Sequence, residues 1–553
     1  MVLLGSSGKS HGGAECSWDP PGRGASKLAS TLLLPALTGH DKCKHVDGPA
    51  GPSSGRLGQR HVLCLVMFVG TFFQYLQRSV MNSAVVGADS MAAELGWSNA
   101  GKGLVLSGFF YGYSLGQIPA GWFSSRFGGR PVFFILGLAT CLNMAVPRVA
   151  AGGAGLVAAL RVAVGLAQSP MWPNAMGLLS QWTVPSERSR LLAWSGSSMP
   201  LAYFTGIFLT TFLMHAIGWR AVFFGYGVVA LLWVPLWHRF GWSMPEEHPR
   251  ISEEERRFIL SSRLDASPPA ASALPRSVPW AAIFSQKAVW AVLVADSILG
   301  AFANAVFFGF VPTYMHYQLG LSIHSTGFWG AAPQLGYFFL TMTVAPLADE
   351  LIRRGTDLTH VRKLFSVVPA FIAALCSLLL AFLTSTIGPS HSHGDGSKGG
   401  HGVSDSAAVV AAILLVSLVT AVQGAAISGS TASIMDMTKE YTPVVAGVSN
   451  SCWALLSGLA STFVGFLLDH GNCPQGNTMS SHGSSLADAM DSETCTQAWC
   501  TAFGCAGFLF LAQGVVFGLF GSSQPLHLPA AVDQENNKEP STLPAPFDGI
   551  CCE

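Results

Sequence analysis

Twelve apolar blocks constrain the fold more than any other feature of this sequence. Most of them contain about 20 residues, the length of an α-helix that crosses a bilayer. Half of the 553 residues are apolar and only 11% are charged, whereas a soluble domain carries about 25% charged residues. The sequence therefore predicts an all-α membrane protein with twelve transmembrane helices. The blocks cover residues 62–85, 103–123, 131–148, 153–179, 190–214, 219–238, 288–315, 325–348, 364–385, 406–433, 444–468 and 499–521.

The charged residues divide these blocks into two sets of six. The densest charge lies between the sixth and seventh blocks, where Ser252 and Glu255 open the short polar helix "SEEERRFILSSRL" as a capping box. The predicted domains are a disordered N-terminal tail (1–60), a six-helix half (61–240), a central loop (241–286), a second six-helix half (287–522) and a C-terminal tail (523–553).

Lysine and arginine are distributed unequally between the two sides of the predicted bundle. With a cytosolic N-terminus, the outer loops carry only Lys102, Arg148, Arg220 and Lys398, and the inner loops carry fifteen basic residues. Because cytosolic loops are enriched in positive charge, both termini are predicted to be cytosolic. The sequence leaves open which membrane holds the protein.

A short pattern recurs after the second and the eighth block. "GWFSSRFGGR" and "APLADELIRR" align with an offset of 224 residues. This repeat is typical of a 6+6 transporter whose halves rock around a midplane site. It predicts a conformational-gate motif at the cytosolic ends of these helices, formed by Gly121, Arg126, Arg130, Asp349 and Arg354.

Arg161 lies inside the fourth block, in "LRVAVGLAQSPMWPNAMGLLSQW". A helix that begins near residue 153 would place it about 12–14 Å deep, near the bilayer centre. A charged side chain there costs about 2.5–3.5 kcal/mol even on the lenient insertion scale. A carboxylate or phosphate that accepts the two-point guanidinium fork would offset that cost. The alternatives are an ion pair with an acid on another helix and snorkelling to the interface.

Other polar residues in the blocks are candidates for the same cavity. Asp296 is an acid in a predicted span, so it is either a coupling residue for a proton or cation or the ion-pair partner of Arg161 or Arg78. The remaining candidate substrate-binding residues are Tyr111, Tyr113, Gln117, Asn174, Asn304 and Asn450.

Several runs carry a family resemblance: "SGFFYGYSLGQIPAGWFSSRFGGR", "RVAVGLAQSPMWP", "VPSERSRL" and "GWRAVFFGYG" in the first half, and "FVPTYM", "GAAPQLGYF" and "AGVSNSCWALLSG" in the second. Over about residues 60–522 the chain resembles the anion/cation symporter branch of the major facilitator superfamily. The resemblance implies the twelve-helix major facilitator fold and secondary-active transport of an organic anion or inorganic phosphate. A vesicular nucleotide carrier, a proton-coupled acidic-sugar carrier and a non-transporting sensor remain alternatives.

The resemblance also assigns residue roles. Arg161, twelve residues before Pro173, matches the arginine that contacts the substrate, and Arg78 matches an arginine of the first helix that acts as a gate or second anion contact. Proton-coupled relatives carry Glu where this chain has Gln168, and Gln cannot exchange a proton. Transport is therefore expected to be driven by membrane potential. Leu106 and Leu299 replace the His and Arg of glutamate carriers, which argues against glutamate.

The sequence predicts no enzyme. The HExxH and GxSxG motifs are absent, and the histidines lie in loops, tails or near block ends. We expect no cofactor, metal site or nucleic-acid partner; the expected partners are the lipid bilayer, a small anion, and sodium or a proton as coupling ion. In the outer loop, Cys473 is expected to form a disulfide with Cys495 or Cys500.

Overall fold

The computed structural model describes residues 58–85, 91–97, 99–264, 278–321, 323–387, 402–471, 473 and 485–526. Within these residues the chain is helical, without strands. Most of the predicted N- and C-terminal tails, part of the central loop and residues 388–401 lie outside the described residues.

Eleven helices of the described chain are long and apolar enough to cross a membrane. In chain order they are α1 (Gln59–Ala84), α3 (Gly129–Gly152), α4 (Ala154–Trp182), α5 (Pro185–Ile217), α6 (Trp219–Phe240), α7 (Lys287–Gly309), α8 (Phe328–Arg353), α9 (Leu358–Thr386), α10 (Ser406–Thr438), α11 (Thr442–His470) and α12 (Glu493–Phe520).

The remaining long helix, α2 (Asn99–Phe127), is long enough to span but is less apolar than the others. Part of its packing surface is glycine instead of bulky hydrocarbon, because α2 and α4 pack backbone against backbone. A methyl group on Gly112 would overlap the carbonyl oxygen of Val162, and one on Gly165 would overlap that of Phe109. Small residues at such a contact let two membrane helices approach closely.

The helix contacts repeat between the two halves. α2 packs on α4 and α1 on α5, and in the second half α8 packs on α10 and α7 on α11. Between the halves, α2 packs on α11 and α8 on α5. Exchanging each helix for its counterpart in the other half, α2 for α8 and α11 for α5, turns the first inter-half pair into the second, which is the pattern of a 6+6 repeat.

Two helices of the second half leave α-helical geometry near the middle of the bundle. α7 is a π-helix over Leu293–Gly300. α10 tightens into a 3₁₀ turn over Gln423–Ser428, and Gly429 then takes a non-helical conformation. π-segments inside α-helices are frequent at functional sites because they shift the hydrogen-bond register.

At the end predicted to be cytosolic, the loop helix Glu253–Leu264 is fixed to α1. Ser252 accepts the backbone N–H of Glu255, as a capping box requires. The Glu255 carboxylate instead accepts hydrogen bonds from the backbone of Gln59 and from the Arg60 guanidinium. Arg60 also pairs with Glu187 on α5, so three elements meet at one arginine.

At the opposite end, a clamp and a disulfide hold the connections. Glu94 accepts hydrogen bonds from the Arg220 guanidinium and from the Trp219 ring N–H, and these hydrogen bonds lower the pKa of Glu94 to about 2. Cys473 is bonded to Cys495, with their Cα atoms 4.9 Å apart, which is one of the two expected pairings. The Cys500 thiol instead donates a hydrogen bond to the Ala381 carbonyl oxygen.

Candidate functional site

Arg161 is buried in α4 without a counter-ion. Only 2% of the side chain is exposed, and its Nε and Nη1 have no hydrogen-bond partner in the described part of the chain. Its guanidinium carbon lies 4.8 Å from the centre of the Phe109 ring of α2. A buried polar group is normally hydrogen-bonded, so donors left free in this way need a specific explanation.

Arg78 of α1 shares the same aromatic ring. Its guanidinium carbon lies 4.5 Å from the Phe109 ring centre and 5.4 Å from that of Tyr113. Both guanidinium carbons thus lie within 4.8 Å of the centre of the same Phe109 ring. Among the described residues neither arginine forms an ion pair, so the site concentrates positive charge that no protein carboxylate cancels.

Asp296 is not the partner of either arginine. Its Oδ2 accepts a hydrogen bond of 2.8 Å from Ser430 Oγ, and its Oδ1 accepts one of 3.2 Å from Gln513 Nε2. The ion pair considered from the sequence between Asp296 and Arg161 or Arg78 is therefore wrong. The hydroxyl and amide of α10 and α12 already occupy the carboxylate, on the second half of the bundle.

Tyr113 connects the arginines to the second half. Its ring stacks on Phe109 at 5.4 Å, and its hydroxyl accepts a hydrogen bond from Asn450 Nδ2 of α11 at 3.1 Å. Gln117 is fully buried one helical turn farther along α2. In α7, the buried Oδ1 of Asn304 has no hydrogen-bond partner among the described residues. These side chains remain candidates for contact with a substrate.

Two of the expected cavity residues lie elsewhere. Tyr111 is 59% exposed, on the same α2 face as Leu115 and Ile118, so it faces lipid. Asn174 is fully buried in helix packing, where it donates to the Gly129 carbonyl and accepts from the Ser124 hydroxyl. The expectation failed because the sequence gives the helix but not the direction of each face.

Two tyrosines that sequence reasoning did not assign to the site, Tyr75 and Tyr337, lie near it together with Tyr203. Tyr75 of α1 packs on Tyr203 of α5 with ring centres 6.0 Å apart. Tyr337 of α8 is close enough to interact electrostatically with both Tyr75 and Asp296. No spacing in the sequence signals this chain of rings, because each residue comes from a different helix.

Gln168 belongs to a buried network of neutral groups. Its Nε2 donates to Gln74 Oε1 at 2.8 Å, and Gln74 Nε2 donates onward to Thr140 Oγ1 and the Leu136 carbonyl, both at 3.0 Å. Every member of this network is neutral, so it offers no group that changes charge near neutral pH. The position that would hold the coupling carboxylate of proton-coupled relatives is thus occupied by an amide with defined partners.

The predicted cytosolic end is closed by contacts between the halves. The Asp349 carboxylate of α8 accepts the backbone N–H groups of Ser189 and Arg190, near the N-terminus of α5, at 3.0 and 2.9 Å. A carboxylate is favoured at that end of a helix. Gly121 lies against Pro443 of α11 so closely that a methyl group on it would overlap the Pro443 carbonyl.

A second acid strengthens this closure and was not singled out from the sequence. Asp436 of α10 pairs with Arg188 of α5 and with Arg362 of α9, whose Nε lies 2.7 Å from Asp436 Oδ2. Arg362 also donates to Ser189 Oγ at 2.7 Å, so it bridges the halves. In the sequence, Arg188 and Arg362 are distinguished only as two of the fifteen basic residues of the inner loops. An acid at the end of a span was the signal that could have found this cluster.

The other arginines of the predicted gate motif do not join the halves. Arg130 donates to the His238 carbonyl of the first half and stacks over Trp242 at the start of the central loop. Arg354 pairs with Glu350 on its own helix. Arg126 is exposed. Of the five expected residues, Gly121 and Asp349 therefore lie at the closure.

Comparison with known proteins adds independent information. The model of the Major Facilitator Superfamily matches residues 67–461. The chain is 29% identical over 427 residues to the Arabidopsis thaliana protein named sodium-dependent phosphate transport protein 1, chloroplastic, covering 75% of each chain. It is 28% identical over 418 residues to probable anion transporter 4, chloroplastic, of Oryza sativa subsp. japonica, covering 75% of this chain and 65% of that one.

A solved structure shares the fold. The proton:xylose symporter XylE aligns with a TM-score of 0.61 over 85% of this chain and 98% of its own, at 14% identity. At that identity the likeness concerns the arrangement of helices alone. The shared arrangement agrees with the repeated helix contacts described above.

Proposed function

Because this chain belongs to the Major Facilitator Superfamily, we propose that it carries a small anion, an organic anion or inorganic phosphate, across a membrane by alternating access, with Arg161 as the principal ligand. The chain is an integral membrane transporter and not an enzyme. The plant relatives are named as anion and phosphate transport proteins, which supports an anionic substrate.

The buried, unpaired guanidinium of Arg161 is the observation that carries this proposal. Its desolvation is unfavourable unless an anion compensates it, and the described protein provides no carboxylate for that purpose. A carboxylate or phosphate can accept two parallel N–H bonds from one guanidinium. Arg78, whose guanidinium also contacts the Phe109 ring, supplies a second positive charge for the same anion.

The closure at one end fits a carrier that loads from the other end. Asp349 and Asp436 connect the halves at the predicted cytosolic end, so the anion reaches Arg161 from the opposite side. Movement of one half against the other then breaks those bonds and releases the anion. We infer from the distribution of basic residues that both termini and the closed end face the cytosol.

The test is uptake into proteoliposomes from a panel of anions under an imposed potential. Arg161→Ala should abolish uptake of the transported anion while the protein still reaches the membrane, because removing a buried cation relieves an insertion cost. Arg161→Lys should fail nearly as badly, since an ammonium lacks the planar two-point grip. Arg148→Ala, a change of an exposed arginine in α3, serves as the control and should transport normally.

Two results would contradict the ligand assignment. One is normal uptake by Arg161→Lys. The other is rescue of Arg161→Ala by Asp296→Asn, which would mean that the two residues depend on each other although Asp296 bonds to Ser430 and Gln513 instead. Specific anion binding without uptake in the intact protein would indicate a sensor on the transporter fold.

A further inference from the structure

Asp296 is an acid inside the membrane region whose charge no basic residue balances. It is half-buried on the π-helical part of α7, and its oxygens contact Ser430 of α10 and Gln513 of α12. It forms no salt bridge with the described chain. Tyr337 of α8 is a titratable residue close enough to interact with it electrostatically. The hydroxyls of the neighbouring Ser297 and Ser449 are hydrogen-bonded to each other at 2.6 Å. An acid in this position is unfavourable without a cation.

The backbone departs from α-helical geometry on two sides of this carboxylate. The π-segment Leu293–Gly300 contains Asp296, and the 3₁₀ turn Gln423–Ser428 and non-helical Gly429 directly precede Ser430. In secondary transporters, discontinuous helices at the midplane are where coupling cations bind, because their backbone is not committed to a regular hydrogen-bond ladder. Two departures from α-helical geometry thus meet at one acid, which is an arrangement frequent at functional sites.

Gln513 supplies the independent sign of a ligand. Its side chain is 5% exposed, and its Oε1 is buried without a hydrogen-bond partner among the described residues. Gly300 leaves the space that the amide occupies, since a methyl group there would approach the amide to 3.1 Å. Turning the amide by half a rotation would replace Nε2 with Oε1 beside Asp296. Two oxygens facing each other are favourable only with a cation or a proton between them.

We propose that Asp296, Ser430 and Gln513 form a sodium site in the second half, and that the bound sodium ion accompanies the anion. The site has one carboxylate, which balances a monovalent ion, whereas divalent ions usually recruit more carboxylates or retain several waters. Oxygens from three helices converge, whereas a proton needs one acceptor. Only the co-transport part of this inference rests on the proposed function; sodium binding itself does not.

The binding test measures the melting temperature of the purified full-length protein in detergent. Sodium chloride replaces N-methyl-D-glucamine chloride at constant ionic strength, and the wild-type melting temperature should rise by a few degrees and saturate, because an ion that binds only the folded state stabilises it. Asp296→Asn should lose this rise. Ser430→Ala should shift the half-saturating concentration several-fold upward.

Two controls separate this site from other effects. Glu253→Gln, which removes an exposed carboxylate of the loop helix, should keep the full sodium response. Arg161→Ala should also keep it, so that a failed anion site and a failed sodium site give different results. If Asp296→Asn does not fold, the Ser430→Ala and Gln513→Leu titrations decide the question.

The transport test imposes a sodium gradient across proteoliposomes at clamped potential. The gradient should stimulate anion uptake several-fold in the wild type and not in Asp296→Asn. The sodium site is contradicted by an equal thermal response in wild type and Asp296→Asn, or by no response specific to sodium. It is also contradicted if acidification, and not sodium, produces the stabilisation that Asp296→Asn removes.

Discussion

Gln168 is the residue whose chemistry most directly sets the driving force. It is 1% exposed, and the nitrogen of Gln74, which would have to serve a carboxylate at this position, already donates to Thr140 and Leu136. The surroundings of residue 168 therefore offer a hydrogen-bond acceptor for an amide N–H and no free donor for a carboxylate. With no titratable group in this network, we expect a pH gradient alone, at clamped potential, to produce little uptake in the wild type.

Replacing Gln168 should change that behaviour. A carboxyl group placed there by Gln168→Glu would be buried without a free donor, and would stay protonated until the cavity opens to water. We predict that uptake by Gln168→Glu becomes stimulated by an inward proton gradient, measured in vesicles with the potential held at zero. Gln168→Met, of similar length and without a titratable group, should remain insensitive to the gradient. Equal pH responses in the two variants would show that position 168 does not govern coupling.

The sequence singled out the two arginines of the candidate site and Tyr113 beside them, but not the Phe109 ring that both arginines contact. Arg161 was found because a cation deep in an apolar block is costly wherever the helix points. Phe109 could not be found in this way, since a phenylalanine in a span is as favourable facing lipid as it is in the protein interior. The partners of Asp296 were missed because Ser430 and Gln513 are more than a hundred residues away in sequence. Burial of charge is visible in one segment, whereas contact between segments is not.

At the scale of helices, the α2–α4 contact positions the aromatic ring between the two arginines. Gly165 lies directly against the Phe109 carbonyl, and Gly112 against that of Val162. Any side chain at these glycines would force the helices apart. The separation of α2 and α4 therefore determines how closely the Phe109 ring approaches Arg161.

Gly165→Ala tests this contact. The added methyl group should destabilise the protein by about 1–3 kcal/mol, the usual cost of overpacking, and should reduce anion uptake because Phe109 moves away from Arg161. Gly155→Ala is the matched control, since it lies in the same helix with open space around it. It should be neutral or slightly stabilising. The comparison of melting temperature and uptake would contradict our account if both variants behaved alike.

Hydropathy predicted where most helices lie but not how their backbones are bonded. The seventh block was predicted to run over 288–315, whereas α7 ends at Gly309 and changes to a π-helix over Leu293–Gly300. Both geometries bury apolar side chains equally well, so an apolar run does not distinguish them. The tenth block likewise gave no sign of the 3₁₀ turn before Gly429.

At the scale of the whole molecule, the buried acid Asp436 bridges the two halves at the closed end. Asp436 accepts from Arg188 of the first half and Arg362 of the second, and its side chain is 1% exposed. Removing one member of a buried ion cluster leaves the others uncompensated, at a cost of about 3–5 kcal/mol. Because this cluster joins the two halves, the loss destabilises the closed conformation.

We therefore predict that Asp436→Asn opens the cytosolic end. The measurement is the labelling rate of Ile427→Cys, a buried position on α10 beside Gly196 of α5, by a membrane-impermeant maleimide. The rate should rise several-fold when Asp436→Asn is added. Glu350→Gln, an acid-to-amide change that affects pairs within α8 alone, should leave the rate unchanged. An unchanged rate in Asp436→Asn would show that other contacts hold the closure.

The repeat between the halves is visible in the sequence, but one of its positions differs in chemistry between the halves. Ser125 occupies the place in the first half that Asp349 occupies in the second. Asp349 accepts two backbone N–H groups of α5, whereas the buried Ser125 hydroxyl has no partner among the described residues. Among its contacts the closure thus contains one carboxylate–helix contact, although the repeat provides two equivalent positions.

The glycine-rich surface of α2 has a consequence for biosynthesis. A segment enters the bilayer on its own only if its residues partition favourably from the translocon, and α2 is the long helix of the described chain that is less apolar than the other spans. Its missing hydrocarbon is replaced by the backbone of α4, which the ribosome makes later. We therefore expect the nascent α2 to become stable in the bilayer only when α4, which is synthesised later, packs against it.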